Sequence, residues 1–120
     1  MKLISIMMFL FIFLFPQKDK FTFENGNQKI ILKIDNRTKY LNWGKTSRLT
    51  LKLENIEPQK ISMSAPGIIP ISSKKNINEV KLEITPDKNL LESDTLKLNV
   101  GYMDETKKYI HHAFLILIKD

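Results

Sequence analysis

The side chains best equipped for chemistry in this chain are its only two histidines, His111 and His112, with Asp104 and Glu105 a few residues upstream. Imidazole and carboxylate are common zinc donors and common partners in general acid–base catalysis. The spacing argues against both roles. Neighbours on a strand point to opposite faces, so two adjacent imidazoles cannot close on one metal ion there. One histidine with Asp104 or Glu105 across a hairpin is the arrangement left open, against the simpler expectation that both are ordinary strand residues. Cysteine is absent, so thiolate chemistry is excluded. No serine sits in a G-x-S-x-G elbow. The four glycines, at 26, 44, 67 and 101, stand too far apart to cradle phosphate. The remaining carboxylates fall in turns or opposite lysines. These residues predict a protein without a catalytic, cofactor or metal site.

The elements that would position any site are strands. Period-two alternation of apolar and polar residues runs from residue 20 onward. Phe21 and Phe23 lead into Asn25-Gly26, a hairpin signal, and Ile30, Leu32 and Ile34 return. Leu49, Leu51 and Leu53 mark the clearest strand. Ile61, Met63 and Ala65 follow, then a short edge strand at Ile68 to Ile71 whose Pro70 suits an edge. Val80, Leu82 and Ile84 form another strand, and Asp87 to Glu92 a single helical turn with Leu90 and Leu91 tucked under. Leu96, Leu98, Val100 and Tyr102 precede a turn at Asp104, and Tyr109 to Ile118 closes the chain. Residues 36–47, with Tyr40 and Trp43 inside them, read as a polar connection. The pattern predicts an all-β antiparallel sandwich of seven or eight strands.

In front of this domain stands Leu3 to Phe15, an apolar run behind one early lysine. Thirteen residues at helical rise reach roughly 20 Å, against roughly 30 Å of bilayer hydrocarbon. The run suits a secretory signal peptide over residues 1–16, with an uncleaved anchor as the competing reading. The working domain is then 17–120, exported to the periplasm, the outer membrane surface or the medium. Its membrane contact is limited to that leader. The net charge of +6 invites nucleic acid, but lysine outnumbers arginine 17 to 2 and is scattered over strand faces. Phosphate and base-edge recognition favours the arginine fork. Nucleic acid is therefore not expected, and no small-molecule substrate is evident.

Two stretches carry a family resemblance. Asp94-Thr95-Leu96-Lys97-Leu98-Asn99-Val100 is similar to the Asp-x-Gly/Ala-x-Tyr-x-Cys strand of immunoglobulin sandwiches. Leu98 replaces the corner tyrosine and Val100 the cysteine, and Trp43 precedes the second core strand instead of lying on the third. An antibody-type domain is thereby excluded, while a bacterial immunoglobulin-like domain fits. Met63-Ser64-Ala65-Pro66-Gly67, Ile84-Thr85-Pro86 and Phe114-x-Ile116 resemble parts of the periplasmic domains of the Bacteroidetes gliding-motility and type IX secretion shaft protein. That resemblance implies an envelope subunit acting by protein contact and not by catalysis.

Two surfaces follow as candidates. On the last strand, Phe114, Ile116 and Ile118 fill one face, and Ala113, Leu115 and Leu117 the other. A sandwich strand needs only one apolar face. The second predicts cover by a partner protein, an identical subunit or the loop around Trp43. Separately, Trp43 with Tyr40 beside it is either a plug for the end of the core or a contact for glycan or protein in an adhesion module.

Overall fold

The computed structural model describes residues 20–71 and 78–120. The apolar leader, the expected cleavage near Gln17 and most of the loop after Ile71 lie outside the described residues. Nine strands are described: β1 (Thr22–Asn25), β2 (Gln28–Ile34), β3 (Tyr40–Asn42), β4 (Ser47–Glu54), β5 (Ser62–Ser64), β6 (Ile68–Ile71), β7 (Glu79–Ile84), β8 (Thr95–Met103) and β9 (Tyr109–Lys119). They form a five-stranded sheet ordered β1-β2-β4-β7-β6 and a four-stranded sheet ordered β3-β9-β8-β5. The fold is all-β and sandwich-like, because both sheets feed one apolar core. Ile30, Leu32, Leu49, Leu51, Leu82 and Ile84 come from the first sheet, and Leu96, Leu98, Val100, Phe114 and Ile116 from the second. Among the described residues no helix is long and apolar enough to cross a membrane.

Local chemistry explains most boundaries. The first hairpin forms as expected, but one residue later in the turn. Asn25 still pairs with Gln28, so the two-residue loop is Gly26-Asn27. Only Gly26 takes positive φ, at 62°. That is the pattern of a glycine-first primed turn, in place of one with both central residues in positive φ. At the β8–β9 turn, the Asp104 carboxylate accepts hydrogen bonds from the Thr106 and Lys108 amides, both at 2.9 Å, and from the Thr106 hydroxyl at 2.6 Å. Lys107 sits there at φ 65°, a position that ordinarily favours glycine. The Asp87 turn forms as a single turn, with the Leu90 and Leu91 amides donating to the Asp87 carbonyl. Leu91 packs against the core, whereas Leu90 is 57% exposed and is not tucked under.

β3, beyond the expected seven or eight strands, is the larger departure. Residues 40–42, read from sequence as polar connection, pair in parallel with the end of β9, Tyr40 opposite Leu117 and Asn42 opposite Lys119. The pairing is therefore not wholly antiparallel. Three residues are too few to show a period, and a parallel partner nearly eighty positions away gives no local signal. Leu41, wholly buried, anchors the strand.

Candidate functional site: the outer face of the four-stranded sheet

The two sheets present very different faces to solvent. On the outer face of the five-stranded sheet, Lys29 lies 3.7 Å from Glu24 and 4.0 Å from Glu54, and Arg48 lies 3.5 Å from Glu83. Lys33 and Lys52 stand close enough that their mutual contact holds the Lys33 ammonium below its ordinary value. Charges of both signs are interspersed there, as a solvated surface requires.

The outer face of β3-β9-β8-β5 is built otherwise. Along β9 the inward residues Phe114 and Ile116 are fully buried, while Leu115 is 55% and Leu117 42% exposed. Register places Tyr40 beside Leu117, Lys97 beside Leu115, and Asn99 beside Ala113. Toward the hairpin, the same face carries exposed Tyr109 and Met103. The Tyr109 ring lies across Gly101, where a methyl group would overlap it, and its hydroxyl reaches the Ser62 hydroxyl at 3.2 Å. Gly101 is thus buried under an aromatic ring that takes the space a side chain would need. Between Tyr109 and Ile118 the strand has no Lys, Arg, Asp or Glu. The expected apolar triplet Ala113, Leu115 and Leu117 therefore lies on one uncovered face, extended by Tyr40.

The loop around Trp43 does not cover that patch. Trp43 occupies the second position of a turn closed by the Lys45 amide donating to the Asn42 carbonyl. Gly44 takes φ 72° at the third position, where a type II turn requires it. The Trp43 amide donates to the Lys119 carbonyl and the Gly44 amide to the Pro86 carbonyl, both at 2.9 Å. Half-buried, the indole packs on the core and lines a groove of about 530 Å³ with Thr85, Pro86, Asp87, Lys88 and Leu90. The Lys88 ammonium stands 5.6 Å from its ring centre. Tyr40 is on the outer face instead, under Lys119 at 4.4 Å. The two aromatics therefore belong to different surfaces and do not form one platform.

The histidines part as strand geometry demands. His111 faces outward, its Nε2 3.2 Å from the Asn99 side-chain oxygen. His112 turns inward, stacked on Phe23 and edge-on to Phe114, each ring centre at 4.6 Å. Asp104 is committed to its turn. Among the described residues no three metal-ligating side chains converge. Sequence reasoning missed a second polar cluster. Tyr102 donates through its hydroxyl to Gln28 Oε1, and Gln28 Nε2 donates to the Asn55 carbonyl, each at 3.2 Å. Gln28 is the one buried polar residue among those described, and it closes one end of the core.

Acid sensitivity follows from His112. Burial first, and the neighbouring His111 charge second, lower its pKa below the ordinary 6.5. The unfolded chain then takes up the proton before the folded one does. Stability from this site is complete above pH 6.5 and declines as pH falls below it. Asp104 is also held low, chiefly by the Thr106 hydroxyl and then by the Lys108 amide, so its contribution persists above pH 3.8 and is lost on further acidification. Urea midpoints measured from pH 8 to 3 should fall in two stages, and His112→Gln should remove the first.

Comparison of the chain with protein-family models, with curated proteins and with solved structures returns no match.

Proposed function

We propose that this protein is an exported, non-catalytic, immunoglobulin-like binding module of a bacterial cell envelope that works by protein–protein contact through the outer face of β3-β9-β8-β5. The observation that carries the reading is the asymmetry between the two outer faces. One is laced with ion pairs around an exposed Ile69; the other presents Leu115, Leu117, Tyr109 and Met103 to solvent, with Lys97 and Lys119 as the charged residues beside them. Soluble domains rarely leave a contiguous apolar patch bare without a partner for it. Strand order supports the immunoglobulin-like assignment. Taking β2, β4, β5, β6, β7, β8 and β9 as strands A to G reproduces the A-B-E-D and C-F-G sheets, with β1 and β3 added at the edges. The short apolar leader supports export, and the resemblance to periplasmic shaft-protein domains supports an envelope subunit.

A second reading, a surface or secreted adhesion module, rests on the groove beside Trp43. A half-buried indole, Pro86 and exposed Leu90 offer an apolar floor to a glycan ring or a protein loop. The two readings separate in one capture experiment from envelope fractions. Leu115→Lys/Leu117→Lys should abolish capture of the partner, and Trp43→Ala should leave it unchanged. The opposite pattern would move the contact to the groove. Retention by both variants would place it on neither surface.

A further inference from the structure

At the β5 end the outer face of the four-stranded sheet changes character. Register sets Ser62, Gly101 and His111 in one row across β5, β8 and β9, and Ser64, Asn99 and Ala113 in the next. An open cleft of about 240 Å³ lies over these rows, bounded also by Tyr109. Its lining holds no Lys, Arg, Asp or Glu, in a chain whose residues are 27% charged. The Trp43 groove carries Asp87 and Lys88, and the clefts around Asn55 carry Glu57 and Glu105. The cleft on β5, β8 and β9 gathers neutral polar side chains instead.

Tyr109 is fixed there as a platform. Gly101 does not take positive φ, so its backbone has no need of glycine, and glycine weakens a strand interior. The missing side chain lets the phenol end of Tyr109 lie down on the sheet. The Ser62 hydroxyl donates to the Gly101 carbonyl at 3.2 Å, so the Tyr109 hydroxyl donates in turn to the Ser62 oxygen, also at 3.2 Å. The tyrosine is still 56% exposed. Unused hydrogen-bonding capacity surrounds it. With His111 Nε2 donating to the Asn99 side-chain oxygen, the His111 Nδ1 acceptor and both Asn99 amide hydrogens stay open. The exposed Ser64 hydroxyl bonds to nothing among the described residues.

We propose that this cleft binds a neutral sugar ring of a glycan, stacked on Tyr109 and hydrogen-bonded to Asn99, His111 and Ser64. A pyranose presents C–H groups on a face and hydroxyls at its rim, and each hydroxyl both donates and accepts. The cleft answers that chemistry with an aromatic face and a rim of neutral donors and acceptors. An anionic sugar would find no cation within it. An apolar side chain would strip water from the Asn99 and Ser64 groups and give them no partner. β8 and β9 pair in unbroken register from Thr95 to Met103, so the groups are in place before the ligand arrives. The site does not use Leu115 or Leu117, and it goes beyond the protein contact proposed for them.

The test is a glycan array of neutral, sialylated and sulfated oligosaccharides, probed with the protein produced from its full coding chain. Titration of the best neutral glycan follows. Wild type should bind neutral glycans only. Tyr109→Ala should weaken binding about tenfold, the worth of one stacking contact. Ser64→Ala, on a short exposed edge strand, should weaken it about threefold with an unchanged circular dichroism spectrum, and it decides the matter if the tyrosine variant misfolds. Leu115→Lys/Leu117→Lys and Trp43→Ala should bind as wild type does. Binding to no neutral glycan, a preference for charged glycans, or a folded Tyr109→Ala or Ser64→Ala variant that binds undiminished would overturn the proposal. Loss on Trp43→Ala alone would overturn it too, by placing the sugar in the groove. Capture of an envelope protein through Leu115 and Leu117 without any glycan binding would remove this site and leave the contact-module reading standing.

Discussion

Phe114→Ala should destabilise the fold by about 3–5 kcal/mol, while Leu115→Ala, one residue on, should change stability by no more than about 0.5 kcal/mol. Phe114 is wholly buried between the sheets and touches the edge of His112. Truncation removes its transfer free energy and leaves a cavity that Leu98 and Ile116, themselves fully buried, cannot collapse to fill. Small domains are stable by about 5–15 kcal/mol in total, so this single change consumes much of the margin. Leu115 is already more than half in water, so its loss uncovers little. Urea denaturation of both variants measures the contrast. Equal destabilisation would mean that Leu115 is covered within the monomer and that the apolar patch is not free.

The second large effect is expected at the end of the core. Gln28→Leu should cost about 1–3 kcal/mol, because it removes the acceptor of the buried Tyr102 hydroxyl and leaves only the Asn25 side chain beside it. Tyr102→Phe in the same background should recover most of that loss, since two apolar partners leave nothing unsatisfied. A cycle of the two single variants and the double variant gives the coupling directly. Additive losses would show that the hydroxyl finds another partner when Gln28 is gone. The Tyr102 phenol is meanwhile held above its ordinary value, chiefly by burial.

How far the sequence reveals this molecule depends on how local each signal is. Leu49, Leu51 and Leu53, or Val80, Leu82 and Ile84, announce their strands because burial on one face writes a period of two. Ala113, Leu115 and Leu117 are legible as a surplus for the same reason: the strand is apolar on both faces and the core uses one. The Gly26 turn is legible in kind, but which two residues close it depends on register with Gln28. β3 is not legible, because three residues show no period and its partner is distant in sequence. Nor is the Gln28–Tyr102 pair, which joins residues 74 positions apart. Tyr40 and Trp43 look like neighbours in sequence, yet strand alternation and the Gly44 turn send them to different surfaces. The charge asymmetry of the two outer faces needs the strand order before it can be seen at all.

Site-specific photocrosslinking in cells tests the contact surface most directly. A photoreactive residue in place of Leu115 on the four-stranded sheet should give a discrete protein adduct, either an envelope partner or a second copy of this chain. The same residue in place of Lys33, on the ion-paired outer face of the other sheet, should give none. Adducts from position 33 alone, or identical adducts from both positions, would contradict a contact surface on the outer face of β3-β9-β8-β5.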